Sequence, residues 1–329
     1  MKIFSGIQPT GAKHLGNYIG AIRQYVELQE EGDPAIYCIV DLHAVTIPWD
    51  PATLRRNVHD TTAILLAAGL DPGRCILFRQ SDVREHSELT WLLSGLTAHG
   101  DLNRMHQFKE KSAKQRELIS AGLFFYPVLM AADVLAYKAD TVPVGEDQLQ
   151  HVELMREIAR RFNERFGDIL VEPQHRIPEV GARIMDLQNP ANKMATTGGT
   201  QQGTVLVLDE PEVVTRKIKS AVTDSGSEVT RDGEGKEGIA NLIDVIAVAK
   251  GQTPDQVESE FEGSGYGDFK SAVAEAVVEF LAPVRERYEE LRPDEKALED
   301  ALSGGAEKAR AIASETLAEV RSAMGIGPG

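Results

Sequence analysis

Apolar and polar positions change rhythm along the chain, and the change divides it in two. In the first half, short apolar runs alternate with stretches of helical period. Residues 2–7 read as a short strand. From residue 16 to about 30, Tyr18, Ile19, Ile22, Tyr25, Val26 and Leu28 recur at helical spacing. Within residues 35–45, the run Ile36-Tyr37-Cys38-Ile39-Val40 is continuously apolar, as suits a strand buried on both faces. Residues 51–69 read as a helix ending at a glycine, 74–78 as a strand and 85–96 as a helix. This alternation predicts a doubly wound α/β fold with a parallel sheet.

Residues 121–137 predict a hydrophobic helix, or a helix pair interrupted at Pro127. A short strand follows at 141–144, then a strongly amphipathic helix at 150–166. From Pro211 onward the period is almost wholly helical, with helices expected at 211–222, 238–250, 254–263, 268–290 and 306–324. Residues 225–235 form a polar, glycine-bearing loop, and there is no internal repeat.

Composition adds bounds. With 329 residues, 42% hydrophobic and 26% charged, the chain falls among globular proteins of about two domains. Its net charge of −16 excludes a general polyanion binder, yet the charge is uneven: residues 221–329 carry −12 of it, and residues 101–220 are nearly balanced. A local basic strip for one selected nucleic acid therefore remains compatible. Cys38 and Cys75 sit in apolar runs without CxxC spacing, so neither a zinc site nor a disulfide framework is expected. No signal peptide or transmembrane helix is expected, which points to the cytosol.

Four segments carry candidate chemistry. In the first, a glycine-punctuated turn leaves the first strand as Gln8-Pro9-Thr10-Gly11-Ala12-Lys13-His14-Leu15-Gly16-Asn17. Such a turn offers a helix N-terminus to an anion, with His14 and Asn17 on one face and Gly16 permitting close approach. An ordinary βα turn with a capping Asn fits equally well. In the second, Lys193-Met194-Ala195-Thr196-Thr197-Gly198-Gly199 places one lysine in a Thr/Gly loop that could cradle a triphosphate, although a solvated loop is the simpler account. In the third, Asp133 stands alone in an apolar run and must find a donor in the protein or in a ligand. Tyr126 lies two helical turns before it. In the fourth, Gly145-Glu146-Asp147-Gln148 crowds polar groups at a strand end, for reading ribose hydroxyls or for capping a helix through Asp147.

In this order and spacing, the four segments closely resemble the bacterial-type tryptophanyl-tRNA synthetases, over essentially the whole chain. The resemblance includes Ile39-Val40-Asp41-Leu42-His43-Ala44, Gln107–Ala113, Gly181–Leu187 and Lys217–Ser225. It implies a Rossmann-like parallel-sheet catalytic domain at 1–187 with an insertion at about 51–133. A helical anticodon-binding domain at 188–290 and C-terminal helices at 291–329 returning to the catalytic domain complete the expected layout. The implied reaction uses ATP with Mg²⁺ to convert L-tryptophan to tryptophanyl-adenylate, then charges tRNA(Trp). A cytoplasmic homodimer is implied, with no metal held by the protein itself.

The resemblance also assigns residues. Asp133 matches the acceptor of the indole N–H, which would supply the missing donor. Phe4, His43, Met130 and Val144 would line the indole pocket, and Tyr126 and Gln148 would hold the ammonium. Gln8, Pro9, Thr10, Gly16 and Asn17 match the ATP-binding turn. Gly145, Glu146 and Asp147 match the ribose segment, and Ile184 the adenine contact. Lys193, Met194, Ala195, Thr196 and Thr197 match the second signature loop. His14, Asn17, Lys111, Lys193 and Thr197 are the catalytic candidates, and Lys109 lies on the same reaching segment as Lys111. Two departures stand out. His14 replaces the usual Thr, and Thr196 replaces the second lysine of Lys-Met-Ser-Lys-Ser. The second departure leaves open an auxiliary form with altered activity. A tyrosyl-tRNA synthetase, a small nucleotidyltransferase and a paralogue that only binds each fit part of the same pattern.

Overall fold

The computed structural model describes residues 1–29, 35–106, 119–177, 183–196 and 199–327. Strand β1 (Phe4–Ile7) leads into a helical rod, α1, built from Leu15–Asn17, a π-helical segment Tyr18–Ile22 and Arg23–Leu28. Then come β2 (Ile36–Ile39), α2 (Asp41–Ala44), α3 (Pro51–Ala67), β3 (Ile76–Arg79), α4 (Glu85–Ser94) and α5 (His99–Arg104). Next are α6 (Ala121–Leu135), β4 (Thr141–Pro143), a 3₁₀ turn Glu146–Gln148, α7 (Leu149–Phe166) and β5 (Gln174–Arg176). The remainder is helical: α8 (Pro211–Lys219), α9 (Glu237–Lys250), α10 (Pro254–Glu260), α11 (Tyr266–Leu291) and α12 (Glu295–Met324).

β1, β2 and β3 pair in parallel, with Phe4 opposite Ile36 and Ile36 opposite Ile76. β4 pairs with β5 in parallel, and a parallel bridge between Ile3 and Thr141 joins the two sheets. The strands thus run in the order β3-β2-β1-β4-β5. The order reverses between β1 and β4, and the crevice outside their carboxyl ends is where such folds receive nucleotides.

Strand alternation separates two cores. Ile3, Tyr37, Ile39 and Leu77 point to one face, into a cluster with α1, α3, α8, α9 and α11. Phe4, Ile36, Cys38, Ile76 and Phe78 point to the other, covered by α4, α6, α7 and α12. A sheet covered on both faces explains the unbroken apolar run of β2. α12 brings Ala306, Ala309, Ala313, Leu317 and Val320 onto the second face as one stripe.

Some expectations change. α6 is one helix, with buried Pro127 inside it. Proline removes one ladder bond, and burial of Leu123, Val128, Ala131 and Val134 offsets that loss. α12 begins at Glu295 rather than at Ala306, so Gly304 and Gly305 lie within it. β5 was not foreseen because its three residues are polar and exposed. Among the described residues, no helix is long and apolar enough to cross a membrane.

Candidate active site

The turn after β1 forms the first wall. His14 caps α1 in a reciprocal capping box: its Nδ1 accepts the Asn17 N–H (3.3 Å), and Asn17 Oδ1 accepts the His14 N–H (3.2 Å). Burial, then the charges of Lys193 and Lys13, push the imidazole down to about 4, so it is neutral at pH 7. With Nδ1 used as an acceptor, the neutral ring carries its proton on Nε2, where it can donate to a phosphate oxygen. The capping and anion-binding accounts of this turn are therefore compatible. Gly16 packs so closely that a Cβ would sit 3.1 Å from the His14 ring and 3.5 Å from Ile184. Lys13 was not foreseen here. It is buried, and its Nζ donates to the Gln8 carbonyl at 2.5 Å. Burial pushes its ammonium down to about 8.

The second loop meets this wall. A Cβ on Gly11, which has φ +64°, would lie 3.0 Å from Thr196 Oγ1, and one on Gly145 would lie 4.0 Å from Lys193 Nζ. Three of the four predicted segments thus converge across the β1–β4 crevice. Lys193 is exposed, whereas Met194 and Ile184 have side chains in the core, so those two offer only backbone to a ligand. In the fourth segment, the N-cap position of α7 is Gln148, which makes no capping bond with its side chain. Gln148 Nε2 donates to Asp147 Oδ2 at 2.8 Å. Glu146 lies in the 3₁₀ turn, and its side chain is outside the described residues, as are Lys109, Lys111 and Thr197.

The third segment lies deeper. Asp133 is 1% exposed, and of the two sources left open by the sequence, protein or ligand, the protein supplies three donors. Gln80 Nε2 (2.7 Å) and His86 Nδ1 (2.6 Å) donate to Oδ1, and His43 Nε2 (2.7 Å) donates to Oδ2. The Tyr137 hydroxyl lies 2.6 Å from His86 Nε2, so both ring nitrogens of His86 have partners. Burial pushes the carboxyl up, but hydrogen bonds and charge from His43 and His86 outweigh burial and hold it well below the ordinary carboxylate range. A carboxylate offers about four acceptor positions, so three bonds leave one direction, on Oδ2. The protein thus satisfies Asp133 and leaves room for one more donor.

Because α6 is continuous, Tyr126 and Asp133 do share a neighbour. The Tyr126 ring stands edge-on to His43 at 6.1 Å, and its hydroxyl lies 2.8 Å from His151 Nε2. Phe4 stacks on Tyr137 at 5.4 Å, and Met130 and Val144 pack at the rim of the same core. Gln80, His86 and His151 were missed. Gln80 alone carried a signal, as an amide directly after β3, at the carboxyl edge of the sheet.

A parallel sheet with its switch point beside a capped helix N-terminus, an exposed lysine loop and a buried ionised carboxylate defines a nucleotide-using enzyme with a small-molecule pocket. The chain belongs to the family described as tRNA synthetases class I (W and Y), whose model matches residues 1–282. It is 49% identical to tryptophan--tRNA ligase 2 of Streptomyces avermitilis over 99% of this chain and 97% of that one. The crystal structure of tryptophanyl-tRNA synthetase from Mycoplasma pneumoniae is similar at TM-score 0.92 and 35% identity, covering 99% of this chain and 98% of that one. The Campylobacter jejuni enzyme complexed with ADP and tryptophan is similar at TM-score 0.83 and 36% identity, covering 99% of this chain and all of the other (100%).

Proposed function

We propose that this chain activates L-tryptophan with ATP and transfers it to tRNA(Trp). Full-length likeness to tryptophan--tRNA ligases carries the choice of amino acid. Asp133 gives it a physical basis, since its one remaining acceptor position suits an indole N–H. His43, Tyr126, Phe4, Met130 and Val144 surround the ring, and Tyr126 with Gln148 receives the ammonium. Gln8, Pro9, Thr10, Gly16 and Asn17, the segment from Gly145 to Asp147, Ile184, and Lys193 to Thr197 hold ATP.

The substrate carboxylate attacks the α-phosphorus. A carboxyl–phosphate bond forms, the α–β phosphoanhydride bond breaks, and pyrophosphate leaves with the electron pair. The 3′-terminal adenosine of the tRNA then takes the acyl group and AMP departs. The protein's share is orientation and charge stabilisation: His14 Nε2–H, Asn17 and Lys193 face the phosphates. Mg²⁺ enters with ATP as part of the substrate.

The same reading assigns 1–187 to catalysis, 188–290 to anticodon binding and 291–329 to helices that return to the catalytic sheet, in a cytoplasmic homodimer. Exposed Val45, Ile47, Trp49 and Ile119, drawn together by the Ser120–Thr46 bond (2.7 Å), suit a face covered by a second copy. Thr196 favours one further reading, a specialised auxiliary form.

Pyrophosphate exchange into ATP with purified protein tests the proposal. Tryptophan-dependent exchange is expected, and tyrosine-dependent exchange, or none from a folded sample, would overturn it. Faster activation by Thr196→Lys would favour the auxiliary form. An unchanged or lower rate would favour a rewired loop.

A further inference from the structure

The second signature loop lacks a lysine, yet its backbone is tied more fully than its Thr/Gly composition suggests. Ile184 to Asp186 runs antiparallel to Asn192 to Met194, with the Met194 N–H donating to Ile184 O and the Asp186 N–H to Asn192 O, each at 2.9 Å. This hairpin buries Met194 and turns Lys193 outward. Beneath it lies Asp186, 2% exposed. Its Oδ1 accepts the N–H groups of Gln188 (2.8 Å) and Asn189 (3.1 Å), in the turn before Lys193. Its Oδ2 accepts the N–H of Thr200 (3.2 Å), after the loop. The Thr200 hydroxyl is 3.4 Å from both oxygens and accepts the Gly203 N–H at 2.9 Å. A Cβ on Gly203 would lie 1.8 Å from Asp186 Oδ1, so glycine is required there. Among the described residues no Lys, Arg or His forms an ion pair with Asp186, and backbone amides compensate its charge.

Three further bonds extend the arrangement. The Thr204 hydroxyl donates to Ala195 O at 3.0 Å, inside the signature itself. Asn241 on α9 exchanges two hydrogen bonds with the Met185 backbone, at 2.8 and 3.1 Å. The segment bearing Lys193 is therefore held on both sides by one carboxylate and anchored to the helical half by one amide.

We propose that Asp186 is a positioning residue for the second signature loop, fixing the backbone on both sides of Lys193 so that a single ammonium is preorganised toward the ATP phosphates where a second lysine is absent. This rests on the reading of Lys193 as an ATP-facing cation. An aspartate is needed because both oxygens meet N–H donors; an asparagine would turn an NH₂ toward one set of them.

The test uses full-length Asp186→Asn, Thr200→Val and Thr200→Ser. Tryptophan-dependent pyrophosphate exchange is followed together with amide hydrogen exchange over residues 187–204 and thermal unfolding. Asp186→Asn and Thr200→Val are expected to lower kcat by up to about 100-fold, as small displacements of a reacting geometry do. KM for tryptophan should hold, and protection should fall at Lys193, Met194 and Ala195 while the sheet stays protected. Thr200→Ser, which keeps the hydroxyl, should recover most of kcat. Wild-type kcat in folded Asp186→Asn and Thr200→Val would overturn the proposal. So would losses shared equally by KM for tryptophan and by protection of β1 to β3. If the wild-type chain gave no tryptophan-dependent exchange, the proposed function would fail by itself. The hydrogen-exchange arm would still decide the clamp: lost protection at 193–195 supports it, and unchanged protection refutes it.

Discussion

His86 donates from Nδ1 to Asp133 Oδ1 at 2.6 Å while its Nε2 lies 2.6 Å from the Tyr137 hydroxyl, so both ring nitrogens have partners and the carboxylate keeps its charge. Replacing Asp133 by Asn separates stability from recognition. The amide oxygen can take the Oδ1 place and accept from Gln80 and His86, and His43 can change tautomer to accept one amide hydrogen. The second amide hydrogen then points where a substrate N–H would come. A lost hydrogen bond to a charged group is worth about 1.5–3 kcal/mol, or roughly 10- to 150-fold in kcat/KM. Exchange assays with tryptophan and with the isostere carrying sulfur in place of the ring N–H should show the preference for tryptophan collapsing in Asp133→Asn. An undiminished preference would remove Asp133 from recognition.

The same carboxylate sets an acid limit. Its pKa lies below the ordinary 3.8, so its stabilising contribution is fully present above that value and is lost as pH falls further. Unfolding midpoints in urea for wild type and Asp133→Asn should keep their gap from pH 5 to about 4 and draw together as pH falls below 3.8. A gap that stays constant would mean Asp133 titrates normally.

Much of this was legible in advance, for reasons that differ by element. β2 was readable because a strand buried on both faces shows an unbroken apolar run, and α7 because one apolar stripe faces the second core. β5 carried no such signal, since its pairing with β4 is made by backbone alone. Asp133 was identifiable as anomalous from its apolar surroundings, but its partners come from 90, 53 and 47 residues away and no local pattern encodes them. Asp186 was hidden differently. Its partners are backbone amides, which every sequence possesses, so only the fold shows which ones converge.

Lys193 gives the most direct kinetic prediction. It is the cation of the second loop, beside Gly145 and close enough to lower the His14 pKa. With Lys193 facing the phosphates as proposed, Lys193→Ala would remove one preorganised contact to phosphate charge, which typically costs about 2.7–4 kcal/mol, so kcat for exchange should drop roughly 10²–10³-fold. Its exposure means that folding should be unaffected. A loss under tenfold would shift the burden to other cations.

Lys13 is predicted to weaken the fold it belongs to. Its pKa falls from 10.5 to about 8 because its ammonium is buried. At pH 7 the lysine is protonated in both folded and unfolded chains, and the folded chain bears the whole desolvation penalty. As pH rises from about 8 to 10.5 the folded ammonium loses its proton first and the penalty fades. Lys13→Met should therefore gain about 1–3 kcal/mol at pH 7, and the gain should shrink toward pH 10.5. Urea unfolding at both pH values checks this. An equal gain at both would indicate packing alone, because the charge could then contribute nothing.

Gly304 and Gly305 are neighbours in α12 with opposite surroundings. A Cβ at Gly304 meets nothing within 4 Å, whereas one at Gly305 would lie 1.7 Å from the Leu77 carbonyl oxygen and 2.6 Å from its carbon. Leu77 is in β3, so Gly305 is the point where the C-terminal helix touches sheet backbone directly. Gly304→Ala should stabilise the protein by about 0.5–1 kcal/mol, since alanine restricts the unfolded chain and fits the helix. Gly305→Ala forces α12 away from β3, where Ala306, Ala309 and Ala313 are packed, and should cost about 1–3 kcal/mol or more. Two unfolding curves distinguish the cases. If both substitutions stabilise, the close approach of α12 to β3 is not what holds the C-terminal helix on the sheet, and the alanine stripe alone must do so.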